Sequence, residues 1–315
     1  MALVPKNLVN YQKFLKFMLK YWNSDLLHQT ASNAMDEGPE TEETDFNQSP
    51  EELVEDLKKM GPTFIKLGQL LSTRPDLLPD AYLEALSSLQ DDLPTIPYEQ
   101  VRELVEEELG SRISKAFQSF DEEPLASASI GQVHTAVLRS GKKVAVKIQR
   151  PGIRKQFLED LDTLEEVAKM AVQHSDTAKK YAFDDVLMEL RRIMLQELDY
   201  LREADNLVTL GSNLRSYRRL VVPQPIPDYT TSKVLTMEFV KGQKVTKISP
   251  LRKLEEDHTA LVDELVEGYL KQIVIDGFAH ADPHPGNIHL MENNKIALID
   301  LGMVAQFSNK MQDQL

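Results

Sequence analysis

Cysteine is absent from this sequence of 315 residues, tryptophan occurs once, and no apolar run is long enough to cross a membrane. A spanning helix needs about 20 predominantly apolar residues. The amino terminus also has neither the apolar core of a signal peptide nor the Arg and Ser richness of a transit peptide. Without cysteine, disulfides and thiolate metal sites are excluded, which suits a reducing compartment. We therefore expect a cytoplasmic protein, with any membrane contact made peripherally.

Positive charge is also scarce, because 36 Lys and Arg stand against 50 Asp and Glu and give a net charge of −14. A nucleic-acid-binding domain needs a basic surface to neutralise phosphates, so we expect no nucleic-acid partner. The composition is otherwise globular, with 42% hydrophobic residues. A chain of this length can bury enough apolar surface for two lobes.

The stretch His280–Asn287 carries the most informative pattern. Asp282 and Asn287 lie five residues apart in a loop whose prolines and glycine prevent regular helix, and Asp300 follows at the end of an apolar run. The order Asp, Asn, Asp is that of a protein-kinase-like centre, in which the first Asp orients a hydroxyl or water and the other two side chains hold Mg²⁺. We therefore predict Asp282 as the catalytic residue and Asn287 and Asp300 as metal ligands.

The histidines of the same stretch allow a second interpretation. His280, Asp282, His284 and His289 have the residue types and short spacing of a zinc or iron hydrolase site. Alternatively, the histidines only orient the loop through hydrogen bonds to the backbone. The two hypotheses differ in whether the rest of the chain supplies parts that bind phosphate.

A candidate phosphate-binding loop and a candidate phosphate-binding lysine occur in the middle of the chain. The loop has the register of G-x-G-x-x-G-x-V, with alanine at the first two glycine positions. Its predicted nucleotide-binding residues are Ala126, Ser127, Ala128, Ser129, Ile130, Gly131 and Val133. An alternating strand then ends in Lys147 and matches V-A-I-K, so we predict that Lys147 contacts the phosphates.

Two further stretches supply the remaining candidates of a nucleotide site. A helical stretch from residue 184 to 206 offers acidic partners for Lys147, and Glu197 and Glu203 would lie about 120° apart on one continuous helix, facing different partners. An acidic helix face can equally be solvated. A strand over residues 233–242 is expected to bind adenine through the backbone of Glu238 and Val240, unless it is a plain strand and turn.

The first third of the chain is predicted to be helical. Residues 1–29 place Lys13, Lys16 and Lys20 opposite an apolar face, which predicts a helix that lies on an anionic membrane or docks on the protein. Ser49, Pro50 and Glu52 predict the start of a helix by a capping box. A second helix carries Lys66 and Gln69 on one face.

Together these motifs resemble those of the UbiB (ADCK-type) family of atypical kinases, from about residue 50 to the end. The motifs that carry the resemblance are the alanine-rich loop, Lys66-x-Gly68-Gln69, Glu197-x-Asp199, Glu203-Ala-x-Asn206 and His280-x-Asp282-Pro-His-Pro-Gly-Asn287. The resemblance implies an α+β, two-lobed protein-kinase-like fold with an N-terminal helical extension, and ATP or ADP with Mg²⁺ as ligands.

The resemblance also implies roles for individual residues. Glu203 would pair with Lys147, and Lys66 would pair with Glu197 of the Glu197-x-Asp199 motif. The helix with Lys66 and Gln69 would then cover the nucleotide cleft and exclude peptide substrates. The activity implied is that of an ATPase or phosphotransferase that supports ubiquinone or other isoprenoid-lipid biosynthesis, with anionic lipid and quinone precursors as partners.

On these motifs we divide the chain into five segments: a basic amphipathic helix (1–29), an acidic disordered linker (30–48), a helical extension (49–120), a kinase-like N-lobe with a helical insert (121–240) and a partial C-lobe (241–315). Only fifteen residues follow Asp300, so we expect a truncated C-lobe. Two alternatives stay open: a pseudokinase-like scaffold that binds nucleotide or lipid, and a small-molecule kinase of the aminoglycoside or choline type. The sequence carries no prediction of oligomeric state.

Overall fold

The computed structural model describes residues 14, 16, 17, 20 and 21 and the ranges 49–89, 94–174, 183–248 and 257–314. Contacts divide the chain into two compact units. The first unit comprises Met1–Leu93, Ala128–Ile130 and Gly152–Met194; the second comprises Pro94–Ser127, Gly131–Pro151 and Leu195–Leu315. The boundaries of the five predicted segments were drawn from sequence motifs, whereas these units are defined by contacts, so the five segments stay predictions.

The helices, in chain order, are α1 (Pro50–Met60), α2 (Pro62–Leu71), α3 (Asp80–Ser87), α4 (Tyr98–Leu109), α5 (Ile113–Ala116), α6 (Ile153–His174), α7 (Phe183–Glu197), α8 (Tyr200–Asn213), α9 (Thr259–Val274) and α10 (Asn309–Gln312). The strands are β1 (Phe117–Phe120), β2 (Ala126–Ser127), β3 (Gly131–Leu138), β4 (Lys143–Gln149), β5 (Leu220–Val221), β6 (Val234–Glu238), β7 (Gly242–Lys244), β8 (Phe278–His280), β9 (Ile288–Met291), β10 (Lys295–Leu298) and β11 (Val304–Gln306). Within the described ranges, no helix is long and apolar enough to span a membrane.

The start of α1 confirms the predicted helix boundary. The Ser49 hydroxyl accepts a hydrogen bond from the Glu52 amide at 3.2 Å, and Pro50 takes the first helical position. Gly61 then adopts a φ of +107°, which a residue with a Cβ adopts only with strain, and it separates α1 from α2. The second predicted helix is confirmed as α2.

The described residues near the amino terminus pack on these two helices. Phe14 is buried, and its ring centroid lies 5.9 Å from that of Phe64 in α2. The Lys20 ammonium contacts Glu52 at 2.6 Å and Asp56 at 2.5 Å, both in α1. Of the three lysines in the predicted basic face, Lys20 is therefore paired within the protein, and Lys13 lies outside the described residues. The described residues near the amino terminus are therefore docked on α1 and α2.

A buried polar contact links α2 to α6 inside the first unit. The Thr63 hydroxyl donates to the Asp160 carboxylate at 2.5 Å, and both residues are at most 6% exposed. A carboxylate taken out of water loses its hydration, so each hydrogen bond that replaces it stabilises the fold. The contact therefore fixes how α2 meets α6.

The second unit contains a five-stranded sheet in which β1, β3, β4 and β6 are consecutive neighbours and β2 pairs with β3. All of these pairs are antiparallel. One face packs on α4 and α5, and its core consists of Val101, Val105, Ile113, Phe117, Val144, Val146 and other apolar side chains. The sheet aligns Val133 with Lys147 and Lys147 with Leu235, so the predicted lysine strand is confirmed in the centre of the sheet.

Smaller strand pairings in the second unit position the predicted catalytic loop. Strands β9 and β10 form a hairpin, and its connection includes Asn293 and Asn294, which both have positive φ. Asn tolerates this left-handed conformation better than most residues. Strand β8 pairs with β11. Because the loop at residue 282 connects β8 to β9 and Asp300 follows β10, these pairings bring both stretches to one end of the strands.

The predicted continuous helix over residues 184–206 is wrong. Helix α7 ends at Glu197, and α8 begins at Tyr200 with Asp199 as its N-cap, the Asp199 carboxylate accepting from the Arg202 amide at 3.2 Å. An Asp whose side chain accepts hydrogen bonds from the free amides of the next helical turn favours the start of a new helix over continuation of the preceding one. Glu197 and Glu203 are therefore on different helices, and the predicted 120° separation does not apply.

We expect Thr63→Val to lower the free energy of unfolding by about 1–3 kcal/mol, because the substitution preserves shape and removes a donor to the buried Asp160 carboxylate. Thr73→Val is the control, since Thr73 is exposed and its hydroxyl bonds only a local carbonyl, that of Leu70. Urea denaturation of the full chain measures both. Equal losses in the two variants would contradict a specific role of the Thr63–Asp160 contact.

Candidate active site

A buried ion pair between β4 and α8 forms the centre of the candidate site. The Lys147 ammonium lies 2.9 Å from both carboxylate oxygens of Glu203. The Glu203 side chain is 2% exposed and that of Lys147 is 12% exposed. This confirms the pairing that the sequence resemblance implied, and it ties the central strand of the sheet to the helix beside it.

Burial acts on both members of this pair. Burial raises the pKa of Glu203 to about 7, against the opposing effect of the Lys147 charge. Burial also lowers the pKa of Lys147, but the charges of Asp300 and Glu203 outweigh it, so the pKa of Lys147 lies above its usual value. The ammonium therefore stays charged at neutral pH. The ring of Tyr200, fully buried, lies 5.2 Å from the Lys147 nitrogen and adds a cation–π contact.

Asp300 presents its carboxylate from a fixed backbone. Its side chain is 49% exposed and lies 3.4 Å from the Lys147 ammonium. Its φ of +60° is left-handed, a conformation that Asp tolerates better than most residues. The Asp300 carbonyl bonds the His280 ring at 3.1 Å, and the buried Asn206 amide donates to the next carbonyl, that of Leu301, at 2.8 Å. The backbone is held while the carboxylate stays accessible.

His280 orients the loop rather than presenting a metal ligand. One ring nitrogen bonds the Asp300 carbonyl, and the other lies 3.2 Å from the Tyr269 hydroxyl. Burial lowers the pKa of His280, so the ring stays neutral. His284 accepts a hydrogen bond from the amide of Gly286 within its own loop. No three His, Asp or Glu side chains converge as metal ligands anywhere in the described ranges, so the metal-hydrolase hypothesis has no support.

Asp282 and Asn287 lie together, as the sequence predicted. The Asn287 side-chain amide donates to the Asp282 carboxylate at 3.1 Å and to its carbonyl at 3.3 Å. The Asn287 carbonyl accepts from the Ile299 amide at 3.0 Å, directly before Asp300. Protein sites for Mg²⁺ use few carboxylates and leave the other positions to water and substrate phosphates. Oxygen atoms of Asn287 and Asp300 fit such a site.

The alanine-rich loop is the turn of the β2–β3 hairpin, with Ala126 paired to Val133 and Ser127 to Gln132. Gly131 starts β3 where no side chain fits, because a Cβ there would collide with the Ile148 carbonyl and come within 2.9 Å of the Tyr200 hydroxyl. By their contacts, the turn residues Ala128, Ser129 and Ile130 are assigned to the first unit. A phosphate contact of this loop stays a prediction.

The strand predicted over residues 233–242 is observed in part as β6, which ends at Glu238. The Glu238 carboxylate accepts from Lys142 at 2.7 Å and from the Gln224 amide at 3.1 Å. Since this side chain bonds other parts of the protein, an adenine contact would be left to the backbone of Glu238 and Val240. That contact stays a prediction.

Two of the four residues predicted to form a lid, Gln69 and Asp199, make local contacts. In α2 the Gln69 amide donates to the Leu89 carbonyl at 3.2 Å, which fastens the chain after α3. Asp199 caps α8, as described above. Lys66 lies in the first unit and Glu197 in the second, and the Lys66–Glu197 pair stays a prediction.

Sequence reasoning missed the role of Asn206 and the position of Tyr200. Asn206 lies three residues after Glu203 and therefore on the same helix face, which is a signal that could have placed both at one site. For Tyr200 the sequence offers no comparable signal, because a buried aromatic at the start of a helix usually indicates only core packing.

Protein kinases carry, in this order along the chain, a strand lysine, a helix glutamate, a loop with Asp and Asn, and a final Asp-Phe-Gly. This chain has the same order, with Asp-Leu-Gly at the last motif. Here they are placed on an antiparallel sheet, a helix and paired strands of one compact unit. The chain thus has a mixed α+β, protein-kinase-like fold preceded by helices.

A family model described as "ABC1 atypical kinase-like domain" matches residues 88–315. The chain belongs to this ABC1/UbiB family of atypical kinase-like proteins. It is 41% identical over 268 residues to Protein ACTIVITY OF BC1 COMPLEX KINASE 8, chloroplastic, of Arabidopsis thaliana, a match covering 84% of this chain and 35% of the relative. It is 40% identical over 263 residues to the Probable protein kinase UbiB of Azotobacter vinelandii, covering 82% of this chain and 49% of the relative.

A solved structure is similar as well. Rv3197 of Mycobacterium tuberculosis, determined in complex with erythromycin, is 31% identical and superposes with a TM-score of 0.56, covering 80% of this chain and 63% of that one. The chain spans half or less of the length of the two curated relatives.

We expect Asn206→Leu to lower the free energy of unfolding by about 1–3 kcal/mol, because it keeps the branching of the side chain and leaves the buried Leu301 carbonyl without its donor. Binding of Mg²⁺-nucleotide should weaken too, since Asp300 precedes that carbonyl. Thermal unfolding and nucleotide titration measure the two effects. Asp205→Ala, on the exposed face of α8, is the control. An Asn206→Leu protein as stable as the control would refute the role of Asn206.

Proposed function

We propose that this chain binds ATP or ADP with Mg²⁺ and transfers the terminal phosphoryl group, as an ATPase or as a phosphotransferase. The observation that carries the proposal is the cluster of Lys147, Glu203 and Asp300. A lysine held charged by a buried glutamate and placed 3.4 Å from an exposed aspartate suits a site for metal-bound phosphates. The neighbouring Asp282 and Asn287 complete the set of groups that phosphoryl transfer requires.

Each side chain has a distinct role in this proposal. Lys147 binds phosphate oxygens, and Glu203 keeps the ammonium in place. Asp282 orients the attacking hydroxyl or water, and the hydrogen bond from Asn287 fixes the direction of the Asp282 carboxylate. Asn287 and Asp300 hold Mg²⁺, which when bound neutralises phosphate charge.

The acceptor is proposed on the basis of the family. The Azotobacter vinelandii relative is named a probable protein kinase UbiB, and the Arabidopsis thaliana relative a kinase associated by name with the BC1 complex. We propose an acceptor or client of the isoprenoid-lipid class, such as a ubiquinone precursor, and no protein kinase activity, since the predicted lid would exclude peptides. Anionic membrane lipid is a further proposed partner, although Phe14 and Lys20 are already engaged by α1 and α2.

We expect Asp282→Asn and Asp300→Asn each to lower nucleotide turnover by at least about 100-fold, since each removes a charge at the site of phosphoryl transfer. Asp300→Asn should also weaken Mg²⁺-dependent nucleotide binding, whereas Asp282→Asn should leave it nearly unchanged. Turnover assays and nucleotide titrations with and without Mg²⁺ separate the two effects.

The control is Asp228→Asn, an exposed carboxylate in the same unit and in the 3₁₀ helix Pro227–Tyr229. Wild-type turnover in both active-site variants would contradict the proposal. Tight nucleotide binding without turnover in the wild type would favour the pseudokinase-like scaffold. Turnover on an aminoglycoside or on choline would favour the small-molecule kinase.

A further inference from the structure

Arg150 joins the alanine-rich loop to the segment where the chain enters the second unit. One terminal nitrogen of its guanidinium donates to the Pro94 carbonyl at 2.9 Å, and the other donates to the Ser127 hydroxyl at 3.0 Å. Arg150 directly follows β4, the strand that carries Lys147. Strand β4 therefore carries Lys147, which is proposed to bind phosphate, and leads directly to the arginine that contacts the loop predicted to bind phosphate.

A second tie holds the other arm of the same hairpin. The buried Gln132 side chain accepts from the Ile96 amide at 2.8 Å and donates to the Ile96 carbonyl at 3.3 Å. Ser127 is in β2 and Gln132 is in β3, and the two residues are paired across the hairpin. Both arms of the alanine-rich hairpin are thus fastened to residues 94–96, one through Arg150 and one through Gln132.

The chemistry of arginine suits this connection. The guanidinium is planar and carries donors in a rigid fork, so it bonds two acceptors at once without further loss of freedom. A lysine ammonium is a point charge at the end of a flexible chain and does not reproduce this two-sided geometry. Backbone amides of a turn bind phosphate only when the turn is held in the right place, and the fork holds one arm of this turn.

We propose that Arg150 is a positioning residue for nucleotide binding, which sets nucleotide affinity by linking the Ser127 hydroxyl to the Pro94 carbonyl. This role rests on the proposed function. It adds a residue that determines nucleotide affinity and that belongs neither to the alanine-rich loop nor to the metal ligands, and that is not Lys147. Arg150 acts through the hairpin and does not contact the reacting groups.

The test is a double-mutant cycle on nucleotide affinity with Arg150→Gln, Ser127→Ala and the double variant. If Arg150 acts through Ser127, each single variant should raise the dissociation constants of ATP and ADP roughly 3- to 10-fold, and the double variant no more than the weaker-binding single one. Arg150→Lys should give an intermediate value. In Arg150→Gln, turnover at saturating nucleotide should fall less than twofold, because Asp282 and Asp300 are unchanged.

The matched control is Arg139→Gln. Arg139 makes a similar two-sided contact, with the carbonyls of Ser114 and Lys115, away from the alanine-rich loop. Its loss should leave nucleotide affinity within twofold of the wild type. Hydrogen exchange over residues 124–133 should be faster in Arg150→Gln and unchanged in Arg139→Gln.

The outcomes distinguish this role from the proposed function. Unchanged affinity in Arg150→Gln, or additive effects in the double variant, would refute the positioning role while nucleotide binding by the wild type stands. Equal losses in Arg139→Gln and Arg150→Gln would show general destabilisation instead, and would refute it too. A wild type without affinity for nucleotide would refute the proposed function and, with it, the role of Arg150.

Discussion

The buried ion pair of Lys147 and Glu203 is the interaction on which the rest of the site depends. Removing either partner of such a pair leaves an uncompensated charge in the interior and typically costs about 3–5 kcal/mol. The pair also fixes the rotation of α8, because Glu203 has to face β4. Asn206, one turn further along that face, then meets the Leu301 carbonyl at 2.8 Å. One ion pair therefore sets the position of the loop that carries Asp300.

Hydrogen bonds at the end of β4 connect this ion pair to other parts of the second unit. Two residues after Lys147, the Gln149 amide donates to the carbonyls of Leu198 and Ser232, next to the start of α8 and the start of β6. Gln149 thereby fixes the non-helical residues that separate α7 from α8. These hydrogen bonds hold the backbone of the site while the Asp300 carboxylate stays half exposed, an arrangement suited to electrostatic catalysis.

Local signals were enough to predict the first helices and the lysine strand, whereas the pairing of Lys147 with Glu203 was predicted from the family resemblance. Capping residues and alternating strands act over a few positions, so their physical causes are visible in the sequence. The break before Tyr200 was not predicted, because hydrophobic periodicity continues across it and only the cap of Asp199 reveals it. The contacts of Lys20 and Arg150 were missed for another reason: each joins residues more than 20 positions apart, and no local pattern reports such a contact.

The left-handed backbone of Asp300 has a consequence for how sequences of this kind can diverge. Asparagine and glycine adopt the same φ readily, whereas a β-branched residue there is strained. An amide in place of the carboxylate would keep the turn, the His280 contact and the Asn206 contact, which all involve backbone atoms. A single replacement can thus separate folding from the metal binding proposed at this position. A descendant that lost the proposed activity in this way would still fold and would be open to selection as a binding module.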